Sequence, residues 1–178
     1  MIKKEDCLLL IIDVQDKLVK MLGESNLPNN VYAVTKACEI LDVPTIVTEQ
    51  YPKGLGETIP LIKDANSKAI FFEKTSFSAL KNDVIKEKIK SFNKKQIFIC
   101  GIEAHICVLQ TALELQQEGY EVYFINDCSA SRHKNDYDTA VSYLKQKNIS
   151  VISKEILIFS LLETSRHPNF KEVQSLIK

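Results

Sequence analysis

Six short apolar runs, separated by longer stretches with apolar residues at helical spacing, constrain this chain more than any other feature. The runs are 7–12 (CLLLII), 44–47 (PTIV), 69–72 (AIFF), 96–100 (QIFIC), 120–125 (YEVYFI) and 149–152 (ISVI). A strand with one wet face alternates apolar with polar. These runs are nearly continuous, so they read as parallel strands covered on both faces. Between them, 28–42, 78–91, 104–118 and 135–147 carry apolar residues at the helical period. In 104–118, Val108, Leu109, Ala112, Leu113 and Leu115 make one face. Gln110, Glu114, Gln117 and Glu118 are left for water, and Gly119 stops the helix. Strands alternating with such helices predict βαβ units with right-handed crossovers. The expected fold is α/β, a three-layer αβα arrangement with about six parallel strands. The expected organisation is one domain over 1–178, long enough to bury a core. The stretch from Lys154 reads as a helix, a break at His167–Pro168, and a second short helix.

Charge removes some functions. Lysines and arginines number 23 and acids 23, which gives no general attraction to phosphate backbones or anionic membranes. The run Leu8–Ile12 ends at Asp13, too short for a membrane span or a signal sequence. A cytoplasmic protein with no nucleic-acid or membrane partner is expected. The lysine-rich stretch 81–95 keeps Val84, Ile85, Ile89 and Phe92 for the core, and Asp83 and Glu87 interrupt its charge, as on a solvated helix face.

Missing motifs narrow the chemistry. The first strand runs into Asp13-Val14-Gln15 with no glycine loop, and G-x-G-x-x-G, the P-loop and G-x-S-x-G are all absent. No cofactor is therefore expected. His105, His133 and His167 are far apart and no metal site is indicated. Cys7, Cys38, Cys100, Cys107 and Cys128 are scattered without a C-x-x-C, so reduced thiols are the default.

Ligands of an open parallel sheet bind beyond the carboxyl ends of its strands, where strand order reverses. Asp13, Gln15 and Asp16 follow the first strand, and Thr48, Glu49, Gln50 and Tyr51 the second. Glu73, Lys74, Thr75, Ser76 and Phe77 follow the third, and Gly101 to Cys107 the fourth. Carboxylate, ammonium and thiol thus share one edge. Cys107 falls in the first turn of a helix, where peptide dipoles favour a thiolate and lower the thiol pKa. A lysine would add to this, and a carboxylate would serve as general base. Structural readings stay open at this point: Asp13 as a helix cap, Lys74 on the surface, Cys107 packed on the sheet.

Three segments carry a resemblance. Leu9-Leu10-Ile11-Ile12-Asp13-Val14-Gln15, Phe72-Glu73-Lys74-Thr75-Ser76-Phe77-Ser78 and Gly101-Ile102-Glu103-Ala104-His105-Ile106-Cys107-Val108 resemble those of the isochorismatase-like cysteine hydrolases. Asn126-Asp127-Cys128-Ser129-Ala130-Ser131-Arg132 matches further. Thr48 to Gly56 and the tail His167-Pro168-Asn169-Phe170 are similar to the branch called isochorismatase domain-containing proteins. The resemblance implies strand order 3-2-1-4-5-6, catalytic Asp13, Lys74 and Cys107, and a homo-oligomer. It also implies a cis peptide before Glu103, with the Glu103 and Cys107 N–H groups forming an oxyanion hole. Gln15, Tyr51, Phe77, Glu103 and His105 are expected to wall the pocket, with a partly exposed helix start as the other reading of His105.

The expected activity is hydrolysis of a small amide or related C–N carbonyl substrate through a thioester on Cys107. Nicotinamidases of this superfamily hold a metal with an Asp-x-His pair and a histidine after the second strand. Here that place reads Glu49-Gln50-Tyr51-Pro52, and no histidine precedes His105. Isochorismate cleavage is a vinyl-ether hydrolysis that does not need the cysteine, so an intact Cys107 favours acyl chemistry. Other readings are a catalytically silent binding or scaffold protein, a nicotinamidase- or isochorismatase-type activity, and a thiol-redox enzyme pairing Cys107 with Cys100.

Overall fold

The computed structural model describes residues 1–178. Six strands, β1 (Cys7–Ile12), β2 (Thr45–Gln50), β3 (Ile70–Lys74), β4 (Gln96–Ile102), β5 (Glu121–Ala130) and β6 (Ser150–Ile152), form one sheet. All pairings are parallel and the order is β3-β2-β1-β4-β5-β6. Nine helices follow in chain order: α1 (Asp16–Met21), α2 (Leu27–Ile40), α3 (Pro52–Leu55), α4 (Pro60–Lys63), α5 (Asp83–Ser91), α6 (Leu109–Gln117), α7 (Lys134–Gln146), α8 (Lys154–Leu162) and α9 (Phe170–Ser175). None is long and apolar enough to cross a membrane.

The continuous apolar run of β1 has a direct structural meaning. Cys7, Leu9 and Ile11 point into a core shared with α2, α8 and α9, while Leu8, Leu10 and Ile12 point into a second core shared with α5, α6 and α7. Successive side chains go to opposite faces and both faces are dry, so no position tolerates a polar residue.

Four strands run past the apolar stretches that announce them. β2 continues through Thr48, Glu49 and Gln50, and β3 through Glu73 and Lys74. β4 and β5 extend to Ile102 and Ala130. Polar residues at these ends keep the ladder going while facing the site rather than the core.

Helix starts also differ from the periodic pattern. The stretch 78–91 splits into a 3-10 turn at Ala79–Lys81 and α5, because the Asn82 side chain accepts the Val84 and Ile85 N–H groups at 3.0 and 3.3 Å. Ile85 and Ile89, four apart, share the buried face of α5. Val84, expected in the core, lies one position round the helix and is 65% exposed. The stretch 104–118 likewise begins with a π-helical turn, Ala104–Val108, before α6.

Strand order reverses between β1 and its neighbours β2 and β4. Ile12, the last residue of β1, pairs with Thr48 on one side and Gly101 on the other. Gly101 has φ +130°, and a Cβ there would lie 1.9 Å from the Ile12 carbonyl oxygen. Only glycine lets β4 approach β1 this closely just before Asp13.

Candidate active site

Strand alternation gathers the polar groups beyond Ile12. Ile46 faces the α5–α6 layer, so Thr48 and Gln50, two and four residues on, face the same way. Phe72 faces that layer too, and Lys74 follows it by two. Asp13 leaves β1 in the left-handed conformation, φ +53°, which aspartate tolerates better than most residues. Its Oδ1 accepts the Thr48 hydroxyl at 2.7 Å and its Oδ2 accepts Lys74 Nζ at 2.7 Å. Lys74 Nζ also donates to Gln50 Oε1 at 2.7 Å and to the carbonyls of Phe77 and Ser76 at 3.1 and 3.2 Å. Both side chains of the pair are wholly buried. Burying an ion pair contributes little to stability, and removing either partner leaves an uncompensated buried charge.

Cys107 sits in the π-helical turn and is 7% exposed, against 0–1% for the other four cysteines. Burial first, and the Asp13 carboxylate second, push its thiol up to about 12, while the Lys74 ammonium pulls it down. The Asp13 carboxylate and the Lys74 ammonium thus act on the thiol in opposite directions. All three groups expected to carry the chemistry are therefore neighbours. The lowered thiol pKa expected from the helix start is corrected: desolvation and a nearby negative charge outweigh the helix end and the ammonium. Burial also raises Cys7, to about 12, and holds Cys38, Cys100 and Cys128 up. Cys100 packs in the α2–α8 core and Cys107 in the α5–α6 core, so the sheet separates the proposed redox pair.

The Ile102–Glu103 peptide is cis. The Glu103 N–H donates to no acceptor within the protein, and its carbonyl accepts the Ile106 and Val108 N–H groups. Its buried carboxylate accepts the Arg132 N–H at 3.0 Å and lies 3.4 Å from Arg132 Nε. His105 Nδ1 is 2.8 Å from Ser131 Oγ and its Nε2 3.9 Å from Asp136, which ties the turn to the end of β5 and the start of α7.

The expected pocket walls meet different fates. Gln15 is fully buried, and its amide is spent on the backbone: Nε2 donates to Gln50 and Gly56 carbonyls at 3.0 and 2.6 Å, and Oε1 accepts the Gln50 N–H at 2.7 Å. It braces the loop instead of facing a ligand. Tyr51 and Phe77 are each 55% exposed. Tyr51 lines a cavity of about 300 Å³ beside β3 with Lys53, Glu73, Lys74, Thr75 and Asn82, a cavity that neither Asp13 nor Cys107 lines. Thr48 and Gln50, placed at the end of the second strand by sequence reasoning but given no role there, hold Asp13 and Lys74, and Thr111 was left out altogether. The Thr111 hydroxyl donates to the Cys107 carbonyl at 2.6 Å and accepts the Ala79 N–H at 3.0 Å, fixing the turn against the neighbouring segment. Two-residue spacing from Ile46 was the available signal for Thr48 and Gln50. No three His, Cys, Asp or Glu side chains stand close enough to hold a metal ion.

Comparison with known proteins agrees with this architecture. The isochorismatase domain model matches residues 7–156. Isochorismatase domain-containing protein 2 of Danio rerio is 37% identical over 95% of this chain and 85% of its own length. Isochorismatase family protein 1B of Dictyostelium discoideum is 36% identical over 98% and 87%. A solved structure titled as the MAR1 ribonuclease of Caenorhabditis elegans superposes with a TM-score of 0.93 at 35% identity, covering 99% of this chain and 91% of that one. The YcaC gene product of Escherichia coli, described as an octameric hydrolase of unknown specificity, shares the fold with a TM-score of 0.89 at 22% identity over 98% of this chain and 94% of its own. The family and the names of these relatives support a hydrolase-type function. With its sheet order and 150 of its residues matched, this chain belongs to the isochorismatase family.

Proposed function

We propose that this protein is a cysteine-dependent hydrolase of a small amide or related C–N carbonyl compound, with Asp13, Lys74 and Cys107 as its catalytic groups. The observation that carries this reading is the fully buried Lys74–Asp13 pair, 2.7 Å apart and acting directly on the least buried cysteine. A thiol at about 12 rests protonated at neutral pH, so attack must be coupled to proton removal. As Cys107 Sγ bonds to the substrate carbonyl carbon, its proton passes to Asp13, and Lys74 stabilises the charge developing between them. The Glu103 N–H, without an acceptor inside the protein, and the Cys107 N–H receive the oxyanion. Collapse breaks the C–N bond, the amine leaves with the proton from Asp13, and a thioester remains. Water then attacks, giving its proton to Asp13. The acid departs as the sulfur takes that proton back.

The narrow exposure of the thiol favours a small substrate. The ribonuclease named for the worm relative is not carried over, because equal basic and acidic counts offer a phosphodiester chain no electrostatic hold. A homo-oligomer is proposed from α8, which carries apolar residues on both sides: Leu157, Ile158, Leu161 and Leu162 are buried, while Ile156 and Phe159 stand 50% and 40% exposed on the other side.

The test is a scan of small amides and acyl esters with the wild type, Cys107→Ala and Asp13→Asn. Turnover should vanish in the first variant and lose most of kcat in the second with KM little changed. Equal turnover by Cys107→Ala would overturn the proposal, and so would silence of the wild type on every acyl donor.

A further inference from the structure

The chain has two arginines, Arg132 and Arg166, and Arg132 stands beside the nucleophile turn. The β4–β5 ladder sets this position. Ile102 pairs with Ala130, so the backbone two residues past Ala130 meets Glu103, the residue that opens the turn holding Cys107. Glu103 Oε1 accepts the Arg132 backbone N–H at 3.0 Å and lies 3.4 Å from its Nε. One buried carboxylate oxygen thus hydrogen-bonds the main chain and pairs by charge with the Nε edge of the guanidinium. The terminal nitrogens of the fork have no acceptor within the protein, and the side chain is 47% exposed. The nearby acids are committed elsewhere: Asp136 lies by His105, and Asp138 pairs with Lys134. A planar fork paired by charge at one edge and open at the other can take a carboxylate through two parallel hydrogen bonds.

Asp13 neutralises Lys74 and buries it with it, so Lys74 has no proton left for an anionic substrate. Arg132 is then the cation at this end of the turn that remains free to select substrate charge. We propose that Arg132 is a specificity residue and that the site takes a small amide bearing a carboxylate, the carboxylate on the Arg132 fork and the amide carbonyl over Cys107 Sγ. The substrate class rests on the hydrolase reading. The anion recognition does not, and it can be measured without turnover.

Iodoacetate and iodoacetamide alkylate a thiol by the same displacement, in which the S–C bond forms as iodide leaves, and they differ in carrying a carboxylate or its neutral amide. The rate ratio of the two at Cys107, located by peptide mass mapping, is compared in wild type, Arg132→Met and Arg132→Lys. Taking the ratio within each variant cancels differences in thiol access and the constant influence of Lys74. The ratio should fall about 10-fold or more in Arg132→Met, the loss expected when a charge-assisted bidentate contact is removed. In Arg132→Lys, which keeps the charge and loses the fork, it should fall several-fold. A ratio equal to wild type in either variant overturns the proposal. If the ratio behaves as expected while no amide is turned over, the hydrolase reading fails and the anion site stands. If amides turn over and the ratio does not move, the anion site alone fails.

Discussion

Thr48 and Lys74 divide the two oxygens of Asp13 between them, each at 2.7 Å, and that division decides how the carboxylate meets the thiol. Replacing Thr48 by valine keeps the shape and the strand preference and removes one hydrogen bond to a charged acceptor. A bond of that kind contributes about 1.5–3 kcal/mol, so the urea midpoint should fall, and kcat should fall about tenfold or more as the carboxylate loses its orientation. Unaltered kcat would show that Thr48 only fills space. At this scale, Asp13, Lys74 and Cys107 stood among several reactive groups at strand ends, and the resemblance to the isochorismatase-like cysteine hydrolases singled them out. The direction of the Cys107 shift could not be read this way, because helix-end dipoles are local while desolvation depends on how the whole α5–α6 layer covers the sulfur. Gln15 misled for a related reason. A polar residue after a strand reads as ligand-facing until the Gln50 and Gly56 carbonyls are seen to use its amide.

At the scale of elements, the contact between β1 and β4 positions the site. Gly101→Ala would set a methyl group 1.9 Å from the Ile12 carbonyl oxygen in a φ +130° conformation foreign to alanine. The strands must part or β4 must turn, and strain or overpacking of this kind costs about 1–3 kcal/mol or more. Gly101→Ala should therefore lower the urea midpoint and reduce kcat through displacement of Asp13; wild-type values for both would contradict the described approach of the strands. The six strands, their parallel sense and the helices α2, α5, α6 and α7 were readable from apolar runs and periodicity, while the short α1, α3 and α4 were not. The carboxyl ends of the strands were not readable either. Polar residues such as Thr48, Gln50 and Lys74 interrupt the apolar signal at the point where the site begins, although the ladder continues through them. The split of 78–91 depends on the Asn82 side chain, which competes with the helix it precedes and leaves Val84 outside.

Across the whole molecule, five buried thiols share one direction of shift, and this sets a pH dependence. A free thiol in the unfolded chain ionises near pH 8.5, whereas Cys7 and Cys107 keep their protons to about 12. Stability from these groups is complete below about pH 8.5. Above it the unfolded state binds fewer protons than the folded one, so stability falls by about 1.4 kcal/mol per pH unit per thiol. Thermal midpoints should drop steadily between about pH 8.5 and 10.5, and a flat profile would contradict the burial described. Sedimentation tests the assembly: the wild type should run as a homo-oligomer, and Ile156→Glu with Phe159→Glu should lower its mass. A wild-type monomer would leave the apolar outer side of α8 unexplained. The central claim, that Cys107 is acylated with Asp13 and Lys74 beside it, is tested most directly by time-resolved intact mass spectrometry after mixing with an activated acyl ester. One acyl group should appear within a turnover, map to Cys107, decay with release of the acid, and be absent in Cys107→Ala. Product formed with no adduct on Cys107, or an adduct that maps to another residue and decays at the turnover rate, would contradict it.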